Sequence, residues 1–69
     1  MENSYLFEHR NEMIGKRIRC LHMYDPLPVP PQSMGTILFI DDLGNIHVKW
    51  DNGRNLSIIP DEDNFEIID

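Results

Sequence analysis

The stretch GTILFIDDLGNIHVKWDNGRNL, residues 35–56, decides the fold. In its middle, Ile46, Val48 and Trp50 alternate with polar residues, and a period of two places successive side chains on opposite faces of a strand. Asn52-Gly53 follows almost at once. Asn-Gly is the strongest short hairpin signal, because both central residues of the turn need a positive φ. The stretch therefore predicts a β-meander with Trp50 on its buried face.

The strand before this one, residues 36–40, is less regular. It ends in Asp41-Asp42-Leu43-Gly44, which fits a turn closed by Gly44 in the left-handed region. The four residues 37–40 are all apolar, and periodicity is uninformative in a continuous apolar run. Two explanations remain open: both faces of the strand are covered, or a bulge within the strand changes the face on which its side chains lie.

The whole chain predicts five short strands, at residues 14–21, 35–40, 45–51, 54–59 and 65–68. This order predicts an all-β fold, a small five-stranded SH3-like barrel with a long proline-rich loop after the first strand and a short N-terminal leader. A five-stranded OB barrel is the competing prediction, but it needs longer strands and a helix before the fourth. The domain is expected to cover residues 13–69. Residues 1–12 form the leader, which either docks as a short helix or frays.

The proline-rich loop, residues 22–34, contains four prolines. Proline lacks a backbone donor and fixes φ, so no central strand can run through this segment. We predict a stiff, extended loop. It either folds back over one open end of the barrel, which the small core favours, or displays its side chains to a partner at low entropic cost.

The charge of the chain is uneven. The net charge is −6, and residues 41–69 contain eight acidic residues against Lys49 and Arg54. A field of this sign repels phosphate backbones, which disfavours nucleic acid as a partner. The ordinary interpretation is solubility; the sharper one is a surface that meets a basic partner or imitates nucleic acid.

Size and cysteine content set further limits. The 69 residues allow one domain, and Cys20, the single cysteine, suits a reducing compartment. The sequence shows no signal peptide and no apolar run long enough to cross a bilayer. We expect a cytoplasmic protein without membrane association, as a monomer or small homo-oligomer.

The sequence does not predict an enzyme. Cys20 is on the apolar side of its strand, where a thiol is usually inert packing, and nothing places a histidine beside it. The acidic run at residues 61–66 is shorter than an EF-hand loop and lacks the central glycine. We therefore predict no catalytic residues, no metal and no cofactor.

The leading hypothesis is a non-enzymatic protein-binding module. Its candidate partner surface combines the proline-rich loop with the acidic turns, at Tyr24, Asp25, Leu27, Val29, Asp41, Asp42, Asp61, Glu62 and Asp63. The alternative is a nucleic-acid-associated small barrel using the basic first strand and two later residues, at Lys16, Arg17, Arg19, Lys49 and Arg54. A peptide groove anchored on Trp50 is disfavoured, because that side chain shares a face with the predicted core.

Taken together, the segments IGKRI, DPLPVPP, GTILFIDDLGNIHVKWDNG and IPDEDNFEII resemble a domain-of-unknown-function family of short proteins from bacteria, phages and mobile elements. The resemblance covers residues 13–68. It implies an SH3-like outline and carries no assigned activity. The central hairpin is also similar to the mind-bomb type domain of eukaryotic ubiquitin ligases, which binds peptides. The phage and mobile-element setting implies an accessory protein that modulates or inhibits a host factor.

Overall fold

The computed structural model describes residues 4–68. Two short helices come first, α1 (Ser4–Glu8) and α2 (Arg10–Met13). The strands that follow are β1 (Arg17–His22), β2 (Met34–Ile40), β3 (Ile46–Trp50) and β4 (Asn64–Ile68). They form one antiparallel sheet in the order β3-β2-β1-β4, so the fold is mostly β, as the sequence predicts.

The predicted five-stranded SH3-like barrel is not confirmed. Within residues 4–68 the sheet is open, has four strands, and ends at β3 on one side and β4 on the other. The segment 54–59, predicted as a strand, pairs with β3 only at the isolated bridges Ile46–Ile58 and Lys49–Asn55. Between these bridges the carbonyl of Leu56 accepts a hydrogen bond from the Trp50 indole N–H at 2.8 Å, so it is turned away from a regular ladder.

A bulge in β2 resolves the ambiguity of its apolar run. Ile37 pairs with Val48 and Phe39 pairs with His47, which leaves one extra residue on β2 between them. As a result Ile37 is buried, as is Ile40, whereas the two residues between them are exposed. The bulge, rather than coverage of both faces, therefore explains the four consecutive apolar residues.

Gly44 and Gly53 both have the positive φ that the sequence predicts, but the two-residue turn with positive φ at both Asn52 and Gly53 is wrong, because among the described non-glycine residues only Gln32 has a positive φ. Gly44, after β2, has a φ of 86°, and Gly53, after β3, has a φ of 92°. The Gly53 N–H donates to the carbonyl of Trp50 at 2.9 Å, which closes the turn. Side chains with a Cβ rarely adopt this conformation, so glycine is the residue that each turn requires.

The core packs against one face of the sheet. Its buried residues come from every strand except β4, and from α2 and the loops: Met13, Ile18, Cys20, Met23, Val29, Ile37, Ile40, Ile46, Val48, Trp50 and Ile58. Trp50 is 1% exposed, so its predicted place in the core is confirmed. Leu6 and Phe7 of α1 pack against this core, so the helical part of the predicted leader lies on the domain; residues 1–3 of that leader lie outside the described residues.

Close packing around Trp50 depends on Gly35, its partner in the β2–β3 pairing. A Cβ at Gly35 would lie 2.5 Å from Cγ1 of Val48 and 2.9 Å from Cε3 of the indole. Both distances are shorter than van der Waals contact, so the indole occupies space that any other residue at position 35 would take.

Candidate functional site

The proline-rich loop folds back over the core. Met23 is 5% exposed and Val29 is 1% exposed, so both side chains fill the space under the loop. The expectation that the loop covers the core is confirmed for these residues. The prediction that Val29 belongs to a partner surface is wrong, because its side chain is inside the domain.

The middle of the loop is held by an arginine from the turn after β3. The guanidinium of Arg54 donates to the backbone carbonyl of Pro28 at 3.0 Å and to the carbonyl of Leu27. Leu27 itself stays 72% exposed. The loop is therefore fixed by its backbone while it presents an apolar side chain to solvent.

The start of the loop is held by Asp63, the one buried charged residue described in the structure. Its carboxylate accepts from the backbone N–H of Tyr24 at 2.9 Å and from the backbone N–H of Ile59 at 2.8 Å. The charge also acts on the core, because burial and the nearby Asp63 carboxylate raise the pKa of the Cys20 thiol. Asp63 therefore links the loop to the turn before β4.

A pocket of about 220 Å³ lies between the loop and that turn. We call it the loop pocket. It is lined by residues from three segments: Tyr24, Asp25, Pro26, Ser57, Ile59, Glu62 and Asp63. Four of the predicted partner-surface residues meet here, which are Tyr24, Asp25, Glu62 and Asp63.

The polar and aromatic side chains of the loop pocket differ in their contacts and in their hydrogen bonds. The Tyr24 ring packs on His22, with ring centroids 4.2 Å apart, and is 65% exposed. Asp25 accepts from the Leu27 N–H through Oδ1 at 2.9 Å. Glu62 is exposed, and within residues 4–68 its carboxylate makes no hydrogen bond or ion pair. The pocket thus combines an exposed ring with carboxylates at its rim.

The other predicted acidic residues do not line this pocket. Asp41 is used inside the β2–β3 hairpin, where its carboxylate accepts from the N–H groups of Leu43 at 3.0 Å and Asn45 at 2.9 Å. Asp42 is exposed in the same turn, and Asp61 is exposed in the turn before β4. The candidate surface is therefore divided between the loop pocket and the hairpin.

A hydrogen-bonded series connects the hairpin to the loop pocket. Nε2 of His47 lies 2.8 Å from Oδ2 of Asp41, and Nδ1 of His47 lies 3.3 Å from Oγ of Ser57, which lines the pocket. The hydrogen bond to His47 is the main reason that the pKa of Asp41 lies below its ordinary value. Phe39 stacks on the imidazole at 4.2 Å with an interplanar angle of 10°, which fixes the ring.

The tautomer of His47 follows from this geometry. A carboxylate only accepts hydrogen bonds, so Nε2 carries the proton that is donated to Asp41. In the neutral imidazole Nδ1 is then an acceptor, and the Ser57 hydroxyl donates to it. Ser57 was not among the predicted site residues. The alternation of β3 shows that His47 faces outward, but nothing in the sequence shows which residue meets it.

The Asp41–His47–Ser57 series has the residue types of a nucleophilic triad, yet its surroundings oppose that chemistry. A triad needs hydrogen-bond donors for the oxyanion that forms on the substrate. The loop pocket instead places carboxylates around Ser57. Negative charge at this position disfavours an oxyanion.

The basic residues of the alternative site are mostly engaged elsewhere. Arg17 forms a two-point contact with Asp51, one bond of which measures 3.0 Å, and Arg19 donates to Glu66 at 2.9 Å. The contact with Arg17 lowers the pKa of Asp51. Arg54 holds the loop, as described above. Three of the five predicted basic residues, Arg17, Arg19 and Arg54, therefore make hydrogen bonds within the protein.

A second concave surface of about 430 Å³ lies between the helices and β4. It is lined by Tyr5, Leu6, Glu12, Met13, Lys16 and Ile67, of which Lys16 alone belongs to a predicted site. In the described part of the chain, no three His, Cys, Asp or Glu side chains are grouped closely enough to hold a metal ion. The helices of residues 4–68 are too short and polar to cross a membrane.

The chain is similar to a known protein family. Searches of the curated proteins and of the solved structures return no match. One family model matches residues 8–68, a range that includes α2, all four strands and the loop pocket. The chain belongs to the family described as a domain of unknown function, DUF4314.

Proposed function

We propose that the protein is a non-enzymatic binding module that recognises another protein through the loop pocket and the exposed side chains around it. One observation carries this proposal: the pocket is lined by the loop residue Tyr24 and by Asp63, which are 39 residues apart in the chain. Segments this distant are brought together by the fold, and they meet around an open cavity.

The surface around the loop pocket has the composition of a protein-binding site. Tyr24, 65% exposed, and Ile59, 40% exposed, line the pocket together with carboxylates, and Leu27, 72% exposed, follows the pocket residue Pro26 in the chain. Aromatic residues are enriched at protein interfaces, and apolar patches with a polar rim mark sites of association. The loop is already held by Arg54 and Asp63, which lowers the entropy lost on binding.

The nucleic-acid alternative has less support. It would need free cationic side chains, whereas Arg17 and Arg19 are paired with carboxylates and the net charge is −6. Labelled DNA and RNA should show no salt-sensitive binding to the protein. Salt-sensitive binding would instead favour the alternative.

The setting we propose is that of a cytoplasmic accessory protein of a phage or mobile element, which modulates or inhibits a host factor. The resemblance to short proteins of such elements and the acidic surface support this role. The five-stranded SH3-like barrel stays a prediction: residues 54–59 would supply the missing strand beside β3, where two bridges already form.

The test is affinity capture from a bacterial lysate with matched surface variants. The double variant Tyr24→Ala, Glu62→Lys alters the loop pocket, and Leu43→Ala alters an 87% exposed residue in the hairpin turn. We expect a protein retained by the unmodified chain and by Leu43→Ala but lost with the double variant. Thermal unfolding confirms that each variant is folded. Equal retention by all three proteins would overturn the proposal.

A further inference from the structure

We infer that the loop pocket binds the guanidinium of an arginine side chain from a basic segment of the partner. This inference rests on the protein-binding function proposed above and specifies the chemistry of the partner. It is drawn from the shape of the cavity, from its aromatic wall, from the orientation of a hydroxyl group and from charge complementarity.

The wall formed by Tyr24 suits a planar cation. Tyr24 is 65% exposed, and its ring packs on the His22 ring at a centroid distance of 4.2 Å, so the ring is held in place while much of the side chain stays open to a ligand. Guanidinium groups stack on aromatic faces through the ring quadrupole, and they do so more often than ammonium groups.

The hydroxyl of Ser57 is oriented as an acceptor. Oδ2 of Asp41 accepts the Nε2–H of His47, so in the neutral imidazole Nδ1 accepts a hydrogen bond from the Ser57 hydroxyl. The lone pairs of Oγ that remain are available to a donor in the pocket that Ser57 lines. This orientation is set from outside the pocket, independently of its acidic residues.

The carboxylates complete a set of acceptors. Glu62 makes no side-chain hydrogen bond or ion pair within residues 4–68, and Asp25 uses Oδ1 for the Leu27 N–H. A guanidinium carries five N–H donors and no acceptor, so it matches a cavity that offers acceptors and a ring. An anion would be repelled, and an apolar group would leave these acceptors without donors.

The size and spacing of the groups favour an organic cation over a metal ion. The cavity of about 220 Å³ has room for the end of a side chain. In contrast, the described part of the chain does not gather three metal-binding side chains closely enough to hold an ion. The hydrogen-bond acceptors are therefore placed for a group whose N–H donors are distributed over several atoms, as they are in a guanidinium.

The test is an amide chemical-shift titration of the full chain with the peptide acetyl-Gly-Arg-Gly-amide. Two matched peptides replace arginine by lysine or by citrulline, which keeps the shape of arginine without its charge. We expect shifts at Tyr24, Asp25, Ser57, Ile59 and Glu62 with the arginine peptide, smaller shifts with lysine and none with citrulline. Equal shifts with citrulline, or shifts that map elsewhere, would overturn the inference.

Variants then separate the contributions. Glu62→Gln removes an exposed charge and should weaken binding by up to about fivefold, the range expected for an exposed ion pair. Ser57→Ala removes the oriented acceptor and should weaken binding, whereas Leu43→Ala should bind like the unmodified chain. Unchanged affinity in both pocket variants would contradict the inference. Calcium chloride serves as a further probe, and tighter binding of the metal at the same residues would also overturn it.

The two proposals fail in different ways. If a partner is captured through the loop pocket but the arginine peptide does not bind, the inference about guanidinium is wrong and the binding function stands. If the arginine peptide binds as expected but the lysate yields no pocket-dependent partner, the proposed function is wrong and the cation site stands.

Discussion

The carboxylate of Asp63 accepts a hydrogen bond from the backbone N–H of Tyr24, 39 residues earlier in the chain, at 2.9 Å. The same carboxylate accepts from the backbone N–H of Ile59 at 2.8 Å. Asp63 is 7% exposed, so both bonds are shielded from water. One buried charge therefore holds the start of the proline-rich loop and the start of the turn before β4 in a fixed relation.

Replacing Asp63 should destabilise the protein more than replacing its neighbour. In Asp63→Ala two backbone N–H groups lose the buried carboxylate that accepts from them, and the free energy of unfolding should fall by about 2 kcal/mol. Glu62→Ala is the matched control, because that side chain is exposed and should change stability by less than about 0.5 kcal/mol. Urea unfolding of the two variants measures the difference. Equal stabilities would show that the buried carboxylate contributes little.

Gly35→Ala should be destabilising for steric reasons. The new Cβ would lie 2.5 Å from Cγ1 of Val48 and 2.9 Å from both the Lys49 carbonyl oxygen and the Trp50 indole, so β3 must shift away from β2. Overpacking of this kind costs about 1–3 kcal/mol. Gly15→Ala provides the comparison, since it meets no atom within 4 Å and its effect should come from its φ of 88° alone. Near-ultraviolet circular dichroism should show a changed Trp50 environment only in Gly35→Ala.

Stability should fall in acid partly because of the Asp41–His47 contact. Hydrogen bonds from His47 and from backbone N–H groups lower the pKa of Asp41 below its ordinary value of 3.8. The unfolded chain protonates Asp41 near its ordinary pKa of 3.8, whereas the folded chain protonates it at a lower pH. The ionised Asp41 therefore stabilises the folded state above pH 3.8, and this stabilisation is lost as the pH falls through the lower pKa of the folded state. Asp41→Asn keeps an acceptor but removes the charge, so its stability should fall less steeply with acid.

The control for this prediction is Asp42→Asn, which removes the same charge in the same turn. The unfolding free energy of each variant is measured by urea titration between about pH 2 and pH 6, the range in which carboxylates protonate. Asp42→Asn should keep the steep acid loss of the unmodified chain. If Asp41→Asn also keeps it, the contact with His47 does not contribute to acid sensitivity.

Cys20 should react slowly with thiol reagents in the native protein. Its side chain is 0% exposed, and burial together with the charge of Asp63 raises the pKa of the thiol, so little thiolate forms near neutral pH. Labelling with iodoacetamide should be slow in buffer and fast in denaturant. Asp63→Ala should speed native labelling, because it opens the loop. Fast labelling of the folded chain would contradict the buried position.

The parts of the fold that the sequence predicts are those fixed by local chemistry. The alternation around Trp50 and the glycine at position 53 each need only near neighbours, and both predictions are confirmed. The segment 54–59 alternates like a strand, but its carbonyl at Leu56 pairs with the Trp50 indole. That contact depends on the position of a side chain, which hydrophobic periodicity does not encode.

The site was predictable in part for a similar reason. The proline-rich loop and the acidic run predict Tyr24 and Glu62 as surface residues, and the structure places both at one pocket. Asp63 lies in the same acidic run as Glu62, so the sequence does not distinguish the buried carboxylate from the exposed one. The sequence also fails to identify Val29 as a buried residue, because an extended loop shows no periodicity that would separate inner from outer residues.

The bulge in β2 also predicts at which position the strand can lose one residue without disrupting the sheet. Ile37, Phe39 and Ile40 pair in turn with Val48, His47 and Ile46, and Leu38 has no counterpart on β3. Deleting Leu38 would leave a regular ladder in which every remaining residue keeps its facing. A deletion at 37 or 40 would remove a core residue instead. Relatives that are one residue shorter in this strand should therefore have lost the residue at position 38.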